Sequence, residues 1–101
     1  MKMEYEFIGT FRKYQGQDNC GWNFLFVPAE LSKEIRINHK HQEEGWGRMK
    51  VTVKIGNTEW KTSIWFDTKN DTYLLPIKAE VRKKESIKMD IGNQVKATIW
   101  V

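Results

Sequence analysis

The sequence predicts a mainly β protein, a small closed or split barrel of about six strands with two short helices. Three observations predict it. Segments of strict apolar–polar alternation recur along the chain, separated by clusters of turn-forming residues. Five Trp, five Phe and three Tyr in 101 residues supply bulky side chains that favour pleated, half-buried surfaces. Finally, an apolar strand, a proline and a short charged helix occur twice, as FLFVPAELSKEI and LLPIKAEVRKKESI, which suggests two related halves.

The elements follow in order. Glu4 to Tyr14 sets Tyr5, Phe7, Gly9 and Phe11 against Glu4, Glu6, Thr10 and Arg12, the pattern of a half-buried strand. Residues 16–21 (GQDNCG) form a loop, and Trp22 to Val27 is apolar enough to be a strand buried on both faces. Pro28 ends it. Ala29 to Arg36 then makes one or two helical turns, with Leu31 and Ile35 inward and Glu30, Ser32, Lys33 and Glu34 on the polar side. Asn38 to Gly47 is polar and reads as a loop.

Arg48 to Ile55 alternates Met49, Val51, Val53 and Ile55 with Arg48, Lys50, Thr52 and Lys54. Gly56-Asn57 is a hairpin corner. Glu59 to Phe66 then places Trp60, Thr62, Ile64 and Phe66 on one face, with Glu59, Lys61, Ser63 and Trp65 on the other. Asp67 to Asp71 is a turn, Tyr73 to Leu75 a short strand, and Ile77 to Glu85 a helix. Gln94 to Val101 closes the chain with Val95, Ala97, Ile99 and Val101 on one face.

Composition narrows the function classes. With 17 basic and 13 acidic residues the net charge is +4, a mild excess compatible with nucleic acid or another anionic ligand. Cys20 is the one cysteine, which excludes an intramolecular disulfide and a multi-cysteine zinc site. The first ten residues carry Lys2, Glu4 and Glu6, unlike a signal peptide, and no stretch approaches the ~20 apolar residues of a membrane span. The expectation is a soluble cytoplasmic domain, monomeric or homodimeric, with no membrane association.

No catalytic constellation is visible. Ser63 sits in a strand rather than a nucleophile elbow, and no phosphate-cradling glycine loop or dinucleotide fingerprint occurs. His39 and His41 with Glu43 and Glu44 are metal-ligand types, but on a solvated loop with nothing to hold them. The sequence therefore calls for no enzyme activity, no metal and no cofactor. Candidate contacts are Lys61 and Trp65, where an aromatic shares a polar strand face, and Lys78, Arg82 and Lys83, where a basic helix offers a phosphate-binding face.

Four segments in this order resemble a known family: W-x-F-x-F-V-P-x-E from Trp22, I-G-N-T-E-W-K-T-S-I from Ile55, Y-L-L-P-I-K-A-E-V-R-K-K from Tyr73, and the Gly92-Asn93-x-Val95 corner. The chain resembles a small bacterial and archaeal domain family of unknown function, found alone or beside YdeI/OmpD-associated segments. The resemblance implies a double-split β-barrel similar to AbrB-like and MazE-like DNA-binding domains, and hence a binding module with nucleic acid as one partner class. Two departures stand out. Glu85-Ser86-Ile87 lacks a glycine where the helix ends, and Asn93 stands where an aspartate usually follows the glycine.

Overall fold

A computed structural model describes residues 3–13, 23–44, 47–88 and 90–101. The loop read at 16–21 with Cys20, and Trp22 at the head of the second strand, lie outside the described residues. Six strands form one closed antiparallel ring: β1 (Glu4–Lys13), β2 (Asn23–Phe26), β3 (Arg48–Ile55), β4 (Thr58–Asp67), β5 (Thr72–Leu75) and β6 (Gln94–Trp100). Their order around the barrel is β1-β2-β5-β4-β3-β6. Two helices complete the fold, α1 (Ala29–His39), extended by a 3₁₀ turn over Lys40–Gln42, and α2 (Ala79–Lys84). Neither is long and apolar enough to cross a membrane.

The ring has an internal symmetry that the repeated strand-proline-helix phrase anticipates. Exchanging β1 with β4, β2 with β5 and β3 with β6 leaves every neighbour relation unchanged. The long seams are β3–β4 and β1–β6. The short ones lie on the symmetry element: β2–β5 pairs only Leu25–Leu75 and Phe26–Leu74, and β3–β6 only Thr52 to Lys54. The predicted inward faces are the buried ones, with Phe11, Leu25, Met49, Val53, Ile64, Leu75 and Ile99 enclosed in a common core.

Small residues set the turns and close approaches. Gly9 faces inward, and a Cβ there would lie 2.6 Å from Leu25 Cγ, so the strand needs glycine to admit the leucine. Gly56 takes φ +59 in the two-residue β3–β4 hairpin, as a type II′ turn requires at its first central position. At the last corner it is Gly92, at φ +90, that adopts the left-handed conformation. Asn93 instead donates from Nδ2 to the Lys88 carbonyl at 2.6 Å, so no carboxylate is needed to form this turn.

The helices depart from expectation in extent. α1 runs beyond Arg36 to His39, because Ser32, Ile35 and His39 form one buried stripe at i, i+3 and i+7. Two of those three are polar, which is why apolar periodicity stops short. α2 is shorter than Ile77 to Glu85. Lys78 is extended (φ −61, ψ 147) and its carbonyl accepts the Arg82 amide at 3.0 Å, so the helix begins at Ala79. It ends in a Schellman closure: Ser86 adopts φ 54 and the Ile87 amide reaches the Arg82 carbonyl at 2.9 Å. Serine thus takes the left-handed place where a glycine is expected.

Strand direction puts the helices at opposite ends of the barrel. α1 follows the C-terminal end of β2, beside the start of β5 and the end of β4, and plugs one mouth with Leu31 and Ile35. α2 follows the end of β5 and plugs the other with Val81, its C-terminal turn lying against the β3–β4 hairpin, where Thr58 donates to Glu85 at 2.6 Å.

Candidate functional site

A groove of about 670 Å³ opens between the outer face of α1 and the β4–β5 turn. Ala29, Ile37 and Phe66 make it apolar, Lys33, Arg36 and Lys40 line it with positive charge, and Glu30 and Asp71 add two acids. Lys33, Arg36, Ile37 and Lys40 follow i, i+3, i+4 and i+7, so one turn-to-turn stripe of α1 presents them together.

The helix is tied down from beneath. Ser32, fully buried, accepts the Tyr73 amide at 3.0 Å and donates to the Val27 carbonyl at 3.2 Å. The Val27 amide meanwhile bonds directly to the Tyr73 carbonyl at 3.0 Å. An antiparallel pair would exchange two direct bonds here; the serine hydroxyl relays the second. One side chain of α1 thereby completes the narrow β2–β5 seam and fixes the helix on the barrel mouth.

On the groove side, four residues lock one another. The Arg36 guanidinium lies over the Phe66 ring with Cζ 3.9 Å from its centroid. Its buried Nε sits 3.5 Å from Glu43 Oε1, an electrostatic contact too long and misaligned for a good hydrogen bond. The same Glu43 oxygen accepts the Tyr73 hydroxyl at 2.7 Å, and the Tyr73 ring meets Phe66 edge-on at 5.1 Å. Burial, reinforced by the Glu43 carboxylate, holds the Tyr73 hydroxyl well above the ordinary tyrosine range, so it stays a proton donor to Glu43. Among the described residues the Nη groups of Arg36 have no partner, which leaves a pre-positioned fork facing the groove. The rim is shaped by Asp67, whose carboxylate accepts the Lys69 amide at 3.1 Å and Asn70 Nδ2 at 2.6 Å and so sets the turn that carries Asp71.

Behind the groove lies a buried polar cluster. His39 is not on a solvated loop: it is a helical, buried residue with Nε2 2.9 Å from the Tyr5 hydroxyl and Nδ1 3.1 Å from Gln42 Nε2. Burial, and secondarily the neighbouring His41, depresses its pKa. Both ring nitrogens are occupied, and no cluster of three or more metal-ligating side chains exists among the described residues. At the foot of β3, Glu44 bonds Arg48 at 3.0 Å and lies 3.7 Å from Lys50, contacts that hold its carboxyl below the usual range.

The structure separates the residues picked from sequence. Lys61 and Trp65 share the outer face of β4, with Trp65 40% exposed and 5.8 Å from the Arg48 guanidinium. Lys78, Arg82 and Lys83 are at the opposite mouth. The α2 end meets β4 at Thr58, seven residues from Trp65, a strand distance of ~23 Å, so the basic helix and Trp65 do not border one cleft. The helical face expected to carry Lys78 with Arg82 also does not form, because Lys78 precedes the helix in extended conformation. Arg82 buries its Nε, and Lys84 is paired with Glu80 at 3.6 Å. The sequence-based helix ends at Arg36, which leaves Ile37 and Lys40 outside it; continuing the helical period four residues further, to Lys40, aligns them with Lys33 and Arg36.

Fold and site together define a closed six-stranded barrel, plugged by a helix at each mouth, with an Arg-centred groove over one plug. The chain belongs to the family described as "Domain of unknown function (DUF1905)", which it matches over residues 7–99, nearly the whole barrel. No curated protein and no solved structure matches it.

Proposed function

We propose that the protein is a non-enzymatic cytoplasmic binding module whose α1 groove takes a small organic anion with an apolar or aromatic body. The observation that carries this reading is Arg36, clamped over Phe66 and beside Glu43 while its terminal nitrogens have no partner among the described residues. A guanidinium ordered in advance loses little freedom on binding a carboxylate, phosphate or sulfonate, and each charge-assisted hydrogen bond contributes about 1.5–3 kcal/mol. Ile37, 74% exposed beside it, supplies apolar surface that folding leaves uncovered. The groove volume falls within the ~300–1,000 Å³ usual for small-molecule sites. Lys33, Arg36 and Lys40 are balanced by Glu30, Asp71 and the Glu43 carboxylate against Arg36, so the preference for an anion rests on the Arg36 fork rather than on net charge.

1-Anilinonaphthalene-8-sulfonate has the required chemistry and serves as the probe. Calorimetric titration should give a saturable one-to-one complex. Arg36→Ala should weaken it roughly 10- to 100-fold, the loss of one charge-assisted contact. Ile37→Glu, which changes an exposed position and places a carboxylate in the groove, should abolish it, while Lys83→Glu should leave it unchanged. A probe that binds Ile37→Glu as tightly as the parent protein refutes the reading.

A further inference from the structure

A second surface is independent of the groove. Strand alternation turns Arg48, Lys50, Thr52 and Lys54 of β3 outward, because Met49, Val51, Val53 and Ile55 fill the core. Their cross-strand partners on β4 are Trp65, Ser63, Lys61 and Glu59. On the other side, Thr52 pairs with Trp100 of β6, so Lys61, Thr52 and Trp100 form one row across three strands. A shallow groove of about 530 Å³ runs here, with Lys50, Lys61, Ser63 and Trp100 among its walls.

From this arrangement we infer that the outer face of β3, β4 and β6 binds single-stranded nucleic acid. Two features support that partner over others. The first is charge. Among the described residues Arg48, Lys50, Lys54 and Lys61 share this patch with Glu44 and Glu59, and with Glu4 at the Trp100 edge, four cations against three acids. Glu44 is shared between Arg48 at 3.0 Å and Lys50 at 3.7 Å, and among the described residues Lys54 and Lys61 form no ion pair. Lys50 and Lys61 sit diagonally across the β3–β4 ladder, a spacing of ~7–8 Å at which like charges repel until an anion lies between them.

The second feature is the pair of rings. The Trp100 indole N–H donates to Glu4 Oε1 at 3.1 Å, which pins the ring's edge while the ring lines the groove. Trp65 stands further along the same face, four residues from Lys61. Aromatic rings interleaved with cations on an open sheet match unpaired bases stacking while phosphates meet lysines. A duplex hides its base faces from such a surface, and an acidic peptide would use the cations but leave both rings idle.

The test is fluorescence anisotropy of a labelled 15-residue oligothymidylate, and of its oligouridylate counterpart, titrated with the full chain. With four phosphate contacts, affinity should fall roughly 20-fold between 50 and 150 mM salt. Lys50→Glu with Lys61→Glu should weaken binding at least tenfold at 50 mM salt. Trp65→Ala should weaken it about 5- to 100-fold, the effect of losing one stacked base. Lys50→Gln with Lys61→Gln repeats the charge test at exposed positions without reversing sign, and unchanged thermal unfolding certifies each fold. Ile37→Glu should not alter binding, which separates this surface from the α1 groove. The inference is overturned by no binding at 50 mM salt, by equal loss on Arg82→Glu with Lys83→Glu, or by a polyglutamate peptide displacing the oligonucleotide at equal charge concentration.

Discussion

Replacing Ser32 with alanine tests the central structural claim, that one helix side chain completes the barrel. The hydroxyl stands between the Tyr73 amide at 3.0 Å and the Val27 carbonyl at 3.2 Å, at a fully buried position. Ser32→Ala strands a buried backbone donor, which costs about 1–3 kcal/mol, and removes the bond that the Val27 carbonyl accepts, which adds up to about 1 kcal/mol. The sum is about 1–4 kcal/mol, a large part of the ~5–15 kcal/mol that holds a domain of this size together. It corresponds to a fall in Tm of roughly 4–30 °C. Urea unfolding measures the loss, and hydrogen exchange at the Tyr73 amide locates it. The competing outcome is physical: with the hydroxyl gone, the two strands draw together and the Tyr73 amide bonds Val27 directly. A loss under about 0.5 kcal/mol with the Tyr73 amide still protected would show that this happens, and would refute the relay as a stabilising element.

Three further outcomes follow from particular residues. Gly9→Ala places a methyl 2.6 Å from Leu25 Cγ in a strand without positive φ, so steric overpacking should cost about 1–3 kcal/mol in denaturant unfolding. Ser86→Gly relieves a left-handed serine at φ 54 in the α2 closure and should raise stability by about 0.5–1 kcal/mol, measurable as a higher Tm. The depressed His39 pKa means that the unfolded chain binds the proton more readily than the folded one. Stability should therefore be fully present above the ordinary value of 6.5 and decline as pH falls below it towards the folded-state pKa; unfolding titrations of His39→Gln should lose this component of the pH dependence.

The barrel was legible because its information is local. Alternation in Arg48 to Ile55 and Glu59 to Phe66 assigns residues to faces, and Gly56-Asn57 marks a two-residue hairpin; the observed register pairs Ile55 with Thr58 as that turn requires. The candidate site was less legible because its residues report on partners distant in sequence. Ser32 looks like a solvent-facing helix residue until Val27 and Tyr73 close around it. His39 looks like a loop residue until Tyr5, thirty-four positions away, is placed at its ring. Arg36 gains its fixed position from Phe66 and Glu43, neither of which any spacing rule links to it.

By itself the sequence determined the strand faces, the corners and the presence of two short helices, and its repeated phrase suggested two related halves, since these depend on periodicities of two and 3.6 and on the conformational preferences of glycine and proline. Only the tertiary structure decided which charged side chains meet. It placed Lys61 and Trp65 on an outer sheet face, sent Lys78, Arg82 and Lys83 to the far mouth, and gathered Lys33, Arg36, Ile37 and Lys40 over Phe66. The physical reason is that burial is readable from each residue's own alternation, whereas a site is a meeting of side chains brought together by ring closure, and ring closure is set by non-local pairings such as Leu25 with Leu75 and Thr52 with Trp100.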